Sequence, residues 1–292
     1  MSVADMAVQP IQGRSLWDDA RRRLSSNRAA VASLIGLATL LVLAIVGPWV
    51  IPFGYDQVNK VDVWVPPLTN GHLLGTDALG RDLAARLLTG LRVSLAIGLV
   101  ATLVSLVIGV TWGAVAGYVG GKVDEAMMRI VDVLYSLPFI FFVILLMVTF
   151  GSNIVLIFVA IGAVEWLTMS RIVRGQTLAL KNREFIEAAR AAGLGRGAII
   201  ARHIVPNLLG PVVVYVTLTI PAVILAESFL SFLGLGVQPP MASLGALIAG
   251  GAQDMEMAPW LLVFPSITMV VTLMCFNFIG DGLRDAIDPK DR

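Results

Sequence analysis

Cysteine is almost absent from this chain, and charge is scarce. The one cysteine, Cys275, stands in an apolar run, so no internal disulfide can form and the thiol reads as packed or lipid-facing. The two histidines, His72 and His203, lie far apart and give no metal-site spacing. No G-x-x-x-x-G-K-S/T occurs, so the chain carries no P-loop for a nucleotide. H-E-x-x-H and G-x-S-x-G are missing, as are paired carboxylates of the kind a proton-coupled pump uses inside the membrane. Without a nucleophile–base or metal constellation, a membrane enzyme is disfavoured.

What is present is apolar. Hydrophobic residues make up 57% of the 292 residues and charged residues 14%, with a mean hydropathy of +0.85. That balance excludes a soluble protein and defines an all-α polytopic membrane protein. Residues 1–28 form a polar tail with Arg14, Arg21, Arg22, Arg23 and Arg28, in which Trp17 and Leu24 suit a short amphipathic helix on the membrane surface. Residues 29–53 hold the first span, too long for a signal-peptide core. Residues 54–92 read as an outer loop, with Thr76 or Asp77 capping a helix that starts near Leu79. A second span follows over 93–118, then a polar linker over 120–132.

The run 133–164 is uncharged for 32 residues. As one helix it would measure about 48 Å, against a hydrocarbon core of about 30 Å. Gly151, Ser152 and Asn153 offer a turn, so the run divides there into spans three and four, the fourth reaching Met169. The fifth span covers 208–232, with kinks expected at Pro211 and Pro221, and the sixth covers 258–279. The transmembrane core is then 93–282 and the C-terminal tail 283–292. Charge placement tests the count. With six spans and both termini cytoplasmic, 17 of the 21 Lys/Arg face the cytoplasm, leaving Lys60, Arg81, Arg86 and Arg92 outside.

The longest charged stretch outside the spans is 171–206, with seven Lys/Arg. Within it Phe185, Ala188, Ala189 and Ala192 recur at helical spacing as an apolar stripe, and Gly193 follows where such a helix stops. Gly195 and Gly197 loosen the chain, a second short helical run follows, and Pro206 closes it. The three glycines superficially resemble a phosphate loop, but no strand precedes them and a helix–turn–helix break accounts for them. A rigid projection at a membrane surface suits a partner protein better than catalysis. Two carboxylates lie inside spans. Glu227 either lines a translocation path or makes a polar contact within the bundle. Glu165, beside Trp166 near the inner end of span four, reads as snorkelling to the interface. Asp77, Arg81, Asp82 and Arg92, with Arg86, sit just before or at the start of span two, either as a salt-bridged cap or as an outer docking or gating cluster.

These residues carry a family resemblance. Glu187-Ala188-Ala189, three residues, Gly193, nine residues and His203-Ile204-Val205-Pro206 resemble the EAA signature of ABC-importer permeases, E-A-A-x3-G-x9-I-x-L-P, with His for Ile and Val for Leu in the last block. Gly75-Thr76-Asp77-x-x-Gly80-Arg81-Asp82, Gly90-x-Arg92-x-Ser94-Leu95 and the block from Glu227 to Gly236 are similar to the C-type permeases of dipeptide, oligopeptide and nickel importers. The resemblance implies a type I ABC-importer transmembrane-domain fold in the bacterial inner membrane. It implies that Glu184, Glu187, Ala188, Ala189, Gly193 and Pro206 belong to a coupling loop that docks on an ATPase. It also implies a homologous second permease subunit, two ATP-binding subunits that hold ATP and Mg, and a periplasmic solute-binding protein. Lipid surrounds the chain, and no nucleic acid is expected. No catalytic residue, metal or cofactor is expected in the chain itself. Peptide is the expected cargo; nickel import and, further off, a secondary transporter are the alternatives.

Overall fold

The computed structural model describes residues 16–151 and 153–287. Arg14 and residues 288–292 lie outside the described residues, as does the side chain of Trp17. The described chain is helical, in the order α1 (Leu16–Ser26), α2 (Arg28–Val50), α3 (Leu83–Val119), α4 (Gly121–Ser136), α5 (Phe139–Phe150), α6 (Ile154–Leu180), α7 (Glu184–Ala191), α8 (Arg196–Ile199), α9 (Val205–Phe232), α10 (Leu244–Gln253) and α11 (Trp260–Ile287). Five of these are long and apolar enough to cross a membrane, and α4 with α5 makes a sixth, broken span bent by 80°. The bend sits at Leu137-Pro138. Pro138 has no N–H to continue the ladder, and it holds Leu137 in extended backbone.

The run expected to divide at Gly151–Asn153 does divide there. Gly151 ends α5 at φ +81°, and Asn153 caps α6 by accepting the Val155 N–H at 2.9 Å. Other boundaries differ. α3 begins at Leu83, so residues 83–92 are helix rather than loop, and its cap is Asp82, which accepts the Ala85 N–H at 2.7 Å. Thr76 and Asp77 do not cap, because the loop uses them. Thr76 Oγ1 donates to the Asp62 carbonyl and accepts from Val65 N, while Asp77 accepts from Leu79 N and Arg81 N. The segment read as a polar linker over 120–132 is helical and forms most of α4. α11 runs on to Ile287, into the segment read as tail. α1 leans on the end of α11, with Leu24 beside Gly282.

α3 and α6 form the spine. Where the two cross, α3 presents Gly109, Gly113 and Gly117, one per turn. A Cβ on Gly117 would come within 2.8 Å of Thr177 Cβ, and one on Gly113 would meet the Ser170 carbonyl. Lipid tails are as apolar as the helices, so van der Waals contact at close backbone approach, not hydrophobic transfer, holds such pairs together. α2 lies at the periphery, with Leu34, Ile35, Val42 and Ile45 exposed as a lipid-facing side.

The bundle has two distinct ends. The loop end carries residues 51–82, α10 and the start of α11, where Leu83, Ala258 and Leu261 cluster. The basic end carries α1, α7, α8 and the end of α11. There Ala114, Tyr118, Ile186, Ala189, Ile199, Ile204 and Leu208 share one core.

Candidate functional site

The charged stretch builds the basic end. α7 lies with Ile186 and Ala189 buried against α3, α6 and α9. The apolar stripe read from the sequence is therefore corrected. Of Phe185, Ala188, Ala189 and Ala192, only Ala189 packs inward, and Ile186 is its partner. Phe185 is 41% exposed, and Glu184, Glu187, Ala188 and Ala192 are exposed as well. The outer face of this short helix is thus small alanines edged by two glutamates.

Gly193 ends α7 in a Schellman motif. At φ +81° its N–H donates to the Arg190 carbonyl at 2.9 Å, and the Leu194 N–H donates to the Ala189 carbonyl at 3.1 Å. A residue with a Cβ pays about 1–2 kcal/mol to hold that left-handed backbone. Four cations of the stretch reach across to α3 and α4. Arg174 donates to both carboxylate oxygens of Asp124 on α4, and Arg171 reaches Asp132 at 2.8 Å. Lys181 Nζ donates to the Gly117 carbonyl at 3.2 Å, near the C-terminus of α3, where unsatisfied carbonyls favour a cation. Arg190 Nε donates to Tyr118 Oη at 3.3 Å, its guanidinium 5.2 Å from the ring centroid. Arg183, Arg196 and Arg202 are exposed.

Pro206 does not close this stretch. α8, a π-helical turn at Ile200–Ile204 and α9 run without interruption, so Arg196–Phe232 is one rod of 37 residues, about 55 Å long. The π turn passes its Val205 N–H to Ile200, and Pro206 sits in the first turn that follows, where a missing N–H is tolerated. The helix also continues through Pro211 and Pro221. The rod begins three residues after Gly193, so α7 lies outside it and α8 forms its first turn.

Glu227 lies on α9 near the loop end and is fully buried. Three serine hydroxyls donate to its carboxylate: Ser231 and Ser243 to Oε1, each at 2.7 Å, and Ser94 to Oε2 at 3.4 Å. The same serines hold α10. Ser94 accepts the Leu244 N–H and Ser243 the Ala246 N–H, both at 3.0 Å. Of the two roles offered for Glu227, the geometry places it in a bundle contact that joins α3, α9 and α10. Ser94 and Ser231 stood inside motifs read from the sequence; nothing marked Ser243 as their neighbour.

The outer cluster separates into three units. Asp77 takes Arg81 Nε at 2.7 Å and faces Arg86 Nε at 3.5 Å. Asp82 caps α3 and meets the buried His72 Nδ1 at 2.8 Å, with His72 stacked on Phe53. Arg92 leaves the cluster and reaches α2. Glu165 sits eleven residues from the start of α6 and six before Arg171, which pairs with Asp132.

Among the described residues five helices and one bent pair are long and apolar enough to cross a membrane, and a short helix packs at the basic end, an arrangement of a membrane transport component. The chain belongs to the family of binding-protein-dependent transport system inner membrane components, whose profile matches residues 109–292. Residues 15–67 match the N-terminal TM domain of oligopeptide transport permease C. It is 59% identical to the oligopeptide transport system permease protein OppC of Escherichia coli (strain K12), over 97% of this chain and 94% of that one. It is 45% identical to the dipeptide transport system permease protein DppC of Bacillus subtilis (strain 168), over 99% and 90%. In fold it resembles the MetNI methionine ABC transporter in inward-facing conformations, with a TM-score of 0.57 at 20% identity over 69% of this chain and 96% of that one. It is a multi-pass inner-membrane protein with the fold of ABC-importer permeases.

Proposed function

We propose that this chain is one of two permease subunits of an ATP-driven importer that carries oligopeptides or dipeptides across the bacterial inner membrane. The basic end and both termini face the cytoplasm. The exposed face of α7, with Glu184, Glu187, Ala188 and Gly193, docks in a groove of an ATPase subunit. The family match over residues 109–292, which takes in α7 and the Arg196–Phe232 rod, carries this reading. Closure of two ATPase subunits, which hold the ATP and Mg, pulls on the coupling helices of both permeases. The rods turn the spans between inward-open and outward-open arrangements. The loop end receives cargo from a solute-binding protein, with the 51–82 loop and α10 as its landing surface.

The named relatives support peptide cargo over nickel. A secondary transporter is disfavoured by the family match over residues 109–292, and Glu227, one of two candidates for a coupling carboxylate, already receives three serine hydroxyls. The test is reconstitution with the second permease, the ATPase pair and the binding protein in proteoliposomes. ATP-dependent uptake of a labelled tripeptide that vanishes when the ATPase subunits are left out is the expected result. Uptake that persists without them overturns the reading.

A further inference from the structure

A small cleft at the loop end has a charged floor. The 51–82 loop contributes Asp77 and Arg81 to it, the first turn of α3 contributes Arg86, and α10 contributes Gly250, with Asp254 at its C-cap. Asp77 is fully committed. Its Oδ1 accepts the Leu79 and Arg81 N–H groups at 2.9 and 3.0 Å, and its Oδ2 accepts Arg81 Nε at 2.7 Å, with Arg86 Nε 3.5 Å away. One carboxylate thus serves two guanidiniums, and the wall they form keeps a net positive charge. Donors are left over as well. Arg86 Nη1 donates to the Tyr55 carbonyl at 3.3 Å. Among the described residues, Nη2 of Arg86 and both Nη atoms of Arg81 donate to no protein group. None of the three is sealed from solvent, although the Arg86 side chain is only 8% exposed.

Gly250 is a second, independent observation. It stands inside α10, where glycine weakens a helix relative to alanine. It is exposed, its backbone is not left-handed, and a Cβ there would meet nothing within 4 Å. Its neighbour Gly251 differs, because a Cβ on it would run into the Leu261 carbonyl. No contact within this chain calls for the bare backbone at Gly250; a group that enters the cleft from outside does. Size decides what enters. The cleft holds about 100 Å³, against roughly 300–1,000 Å³ for sites that take a small molecule. It admits one side chain and not a peptide. Guanidinium forks with unused donors recognise a carboxylate.

We propose that this cleft takes one aspartate or glutamate side chain of the solute-binding protein, held by Arg81 and Arg86. The cleft lies where the 51–82 loop meets α10, the two parts of the landing surface. Asp254 has no cation within 4 Å among the described residues, so its charge opposes the incoming carboxylate and weakens the grip. The inference rests on the importer reading above and adds to it the chemistry of one docking contact.

The experiment uses the complete importer in lipid nanodiscs. It measures the affinity of the importer's own solute-binding protein, loaded with trialanine, at low and high salt. Arg81→Gln should weaken binding about tenfold, the effect of one charge-assisted contact, and flatten its salt dependence. Gly250→Leu should be at least as thermostable as wild type and still weaken binding about tenfold or more, because the added side chain fills the cleft. Asp254→Asn should tighten binding about threefold. Wild-type affinity in Gly250→Leu overturns the proposal, and so does a loss in Arg81→Gln that comes only with lower thermal stability. Weaker binding by Asp254→Asn counts against it in the same way. Displacement of the binding protein by free trialanine assigns the cleft to cargo and overturns it too. If the wild-type importer shows no ATP-dependent peptide uptake, the importer reading itself falls, an outcome separate from any difference among the variants.

Discussion

Arg92 on α3 donates to the carbonyl of Ala44 on α2 from two nitrogens, Nε at 3.1 Å and Nη2 at 2.7 Å. Ala44 precedes Pro48 by four residues. Pro48 has no N–H, so the Ala44 carbonyl loses its helical donor, and Arg92 supplies the replacement from another helix. Nη2 also reaches the Ile45 carbonyl at 3.2 Å. The side chain read as part of an outer charge cluster is thus the tie between the peripheral span and the core.

Arg92→Leu should loosen α2, with a loss of about 1–3 kcal/mol for the abandoned carbonyl. Pro48→Ala restores a backbone donor at that carbonyl. In the double variant the Arg92→Leu penalty should shrink to a fraction of its value. Thermal unfolding of the four proteins of this cycle in detergent measures the coupling. Additive penalties would show that Arg92 acts elsewhere.

Gly193 and Gly195 differ by two positions and should respond differently to alanine. Gly193 is at φ +81° and Gly195 at φ −66°, and a Cβ at either meets nothing within 4 Å. Space is therefore not at issue, only backbone conformation. Gly193→Ala should destabilise the end of α7 by about 1–2 kcal/mol, seen as faster amide exchange in 184–194. Gly195→Ala should change exchange there very little.

The spans and the helical break in the charged stretch were legible because both depend on local composition. The charge-free run had to turn somewhere, and Gly151 and Asn153 provide a helix stop and a cap. Choosing among capping residues was not a local matter. Thr76, Asp77 and Asp82 are all capping types, and only the folded 51–82 loop, which takes up both Asp77 oxygens and the Thr76 hydroxyl, leaves an oxygen of Asp82 for α3. The inward face of α7 was missed for a related reason. Four apolar positions matched helical spacing, but the side that packs was decided by the ends of α3 and α9, where Ile186 fits with Ala189. The partners of Glu227 were illegible since Ser94 and Ser243 approach it from positions 133 and 16 residues away.

Glu227 offers a graded test of its serine node. Glu227→Gln keeps the oxygen that accepts from Ser231 and Ser243 and disturbs only the longer contact to Ser94, so stability should fall by about 1 kcal/mol or less. Glu227→Ala leaves three buried hydroxyls without their acceptor, and about 3 kcal/mol or more should be lost. Because Ser94 and Ser243 also hold α10, limited proteolysis in 233–243 should accelerate in the alanine variant first. Equal stability of the two variants would remove the node from the account of α10.

Glu187→Lys separates docking from folding. Glu187 is exposed in the first turn of α7, where its charge also favours the helix N-terminus. The reversal should cost the isolated chain at most about 1 kcal/mol, because no hydrogen bond or ion pair holds Glu187 among the described residues and the buried anchors Ile186 and Ala189 are untouched. In the proposed docking the exposed face makes the contact, so coupling should suffer far more than stability. The expected pattern is normal membrane insertion and thermal stability, with peptide uptake down about tenfold or more and cargo no longer stimulating ATP hydrolysis. A like substitution at exposed Arg202, outside the docking face, should leave both near wild type. Normal uptake by Glu187→Lys would show that the ATPase binds elsewhere on the basic end, and the exposed alanine face of α7 would then need another partner.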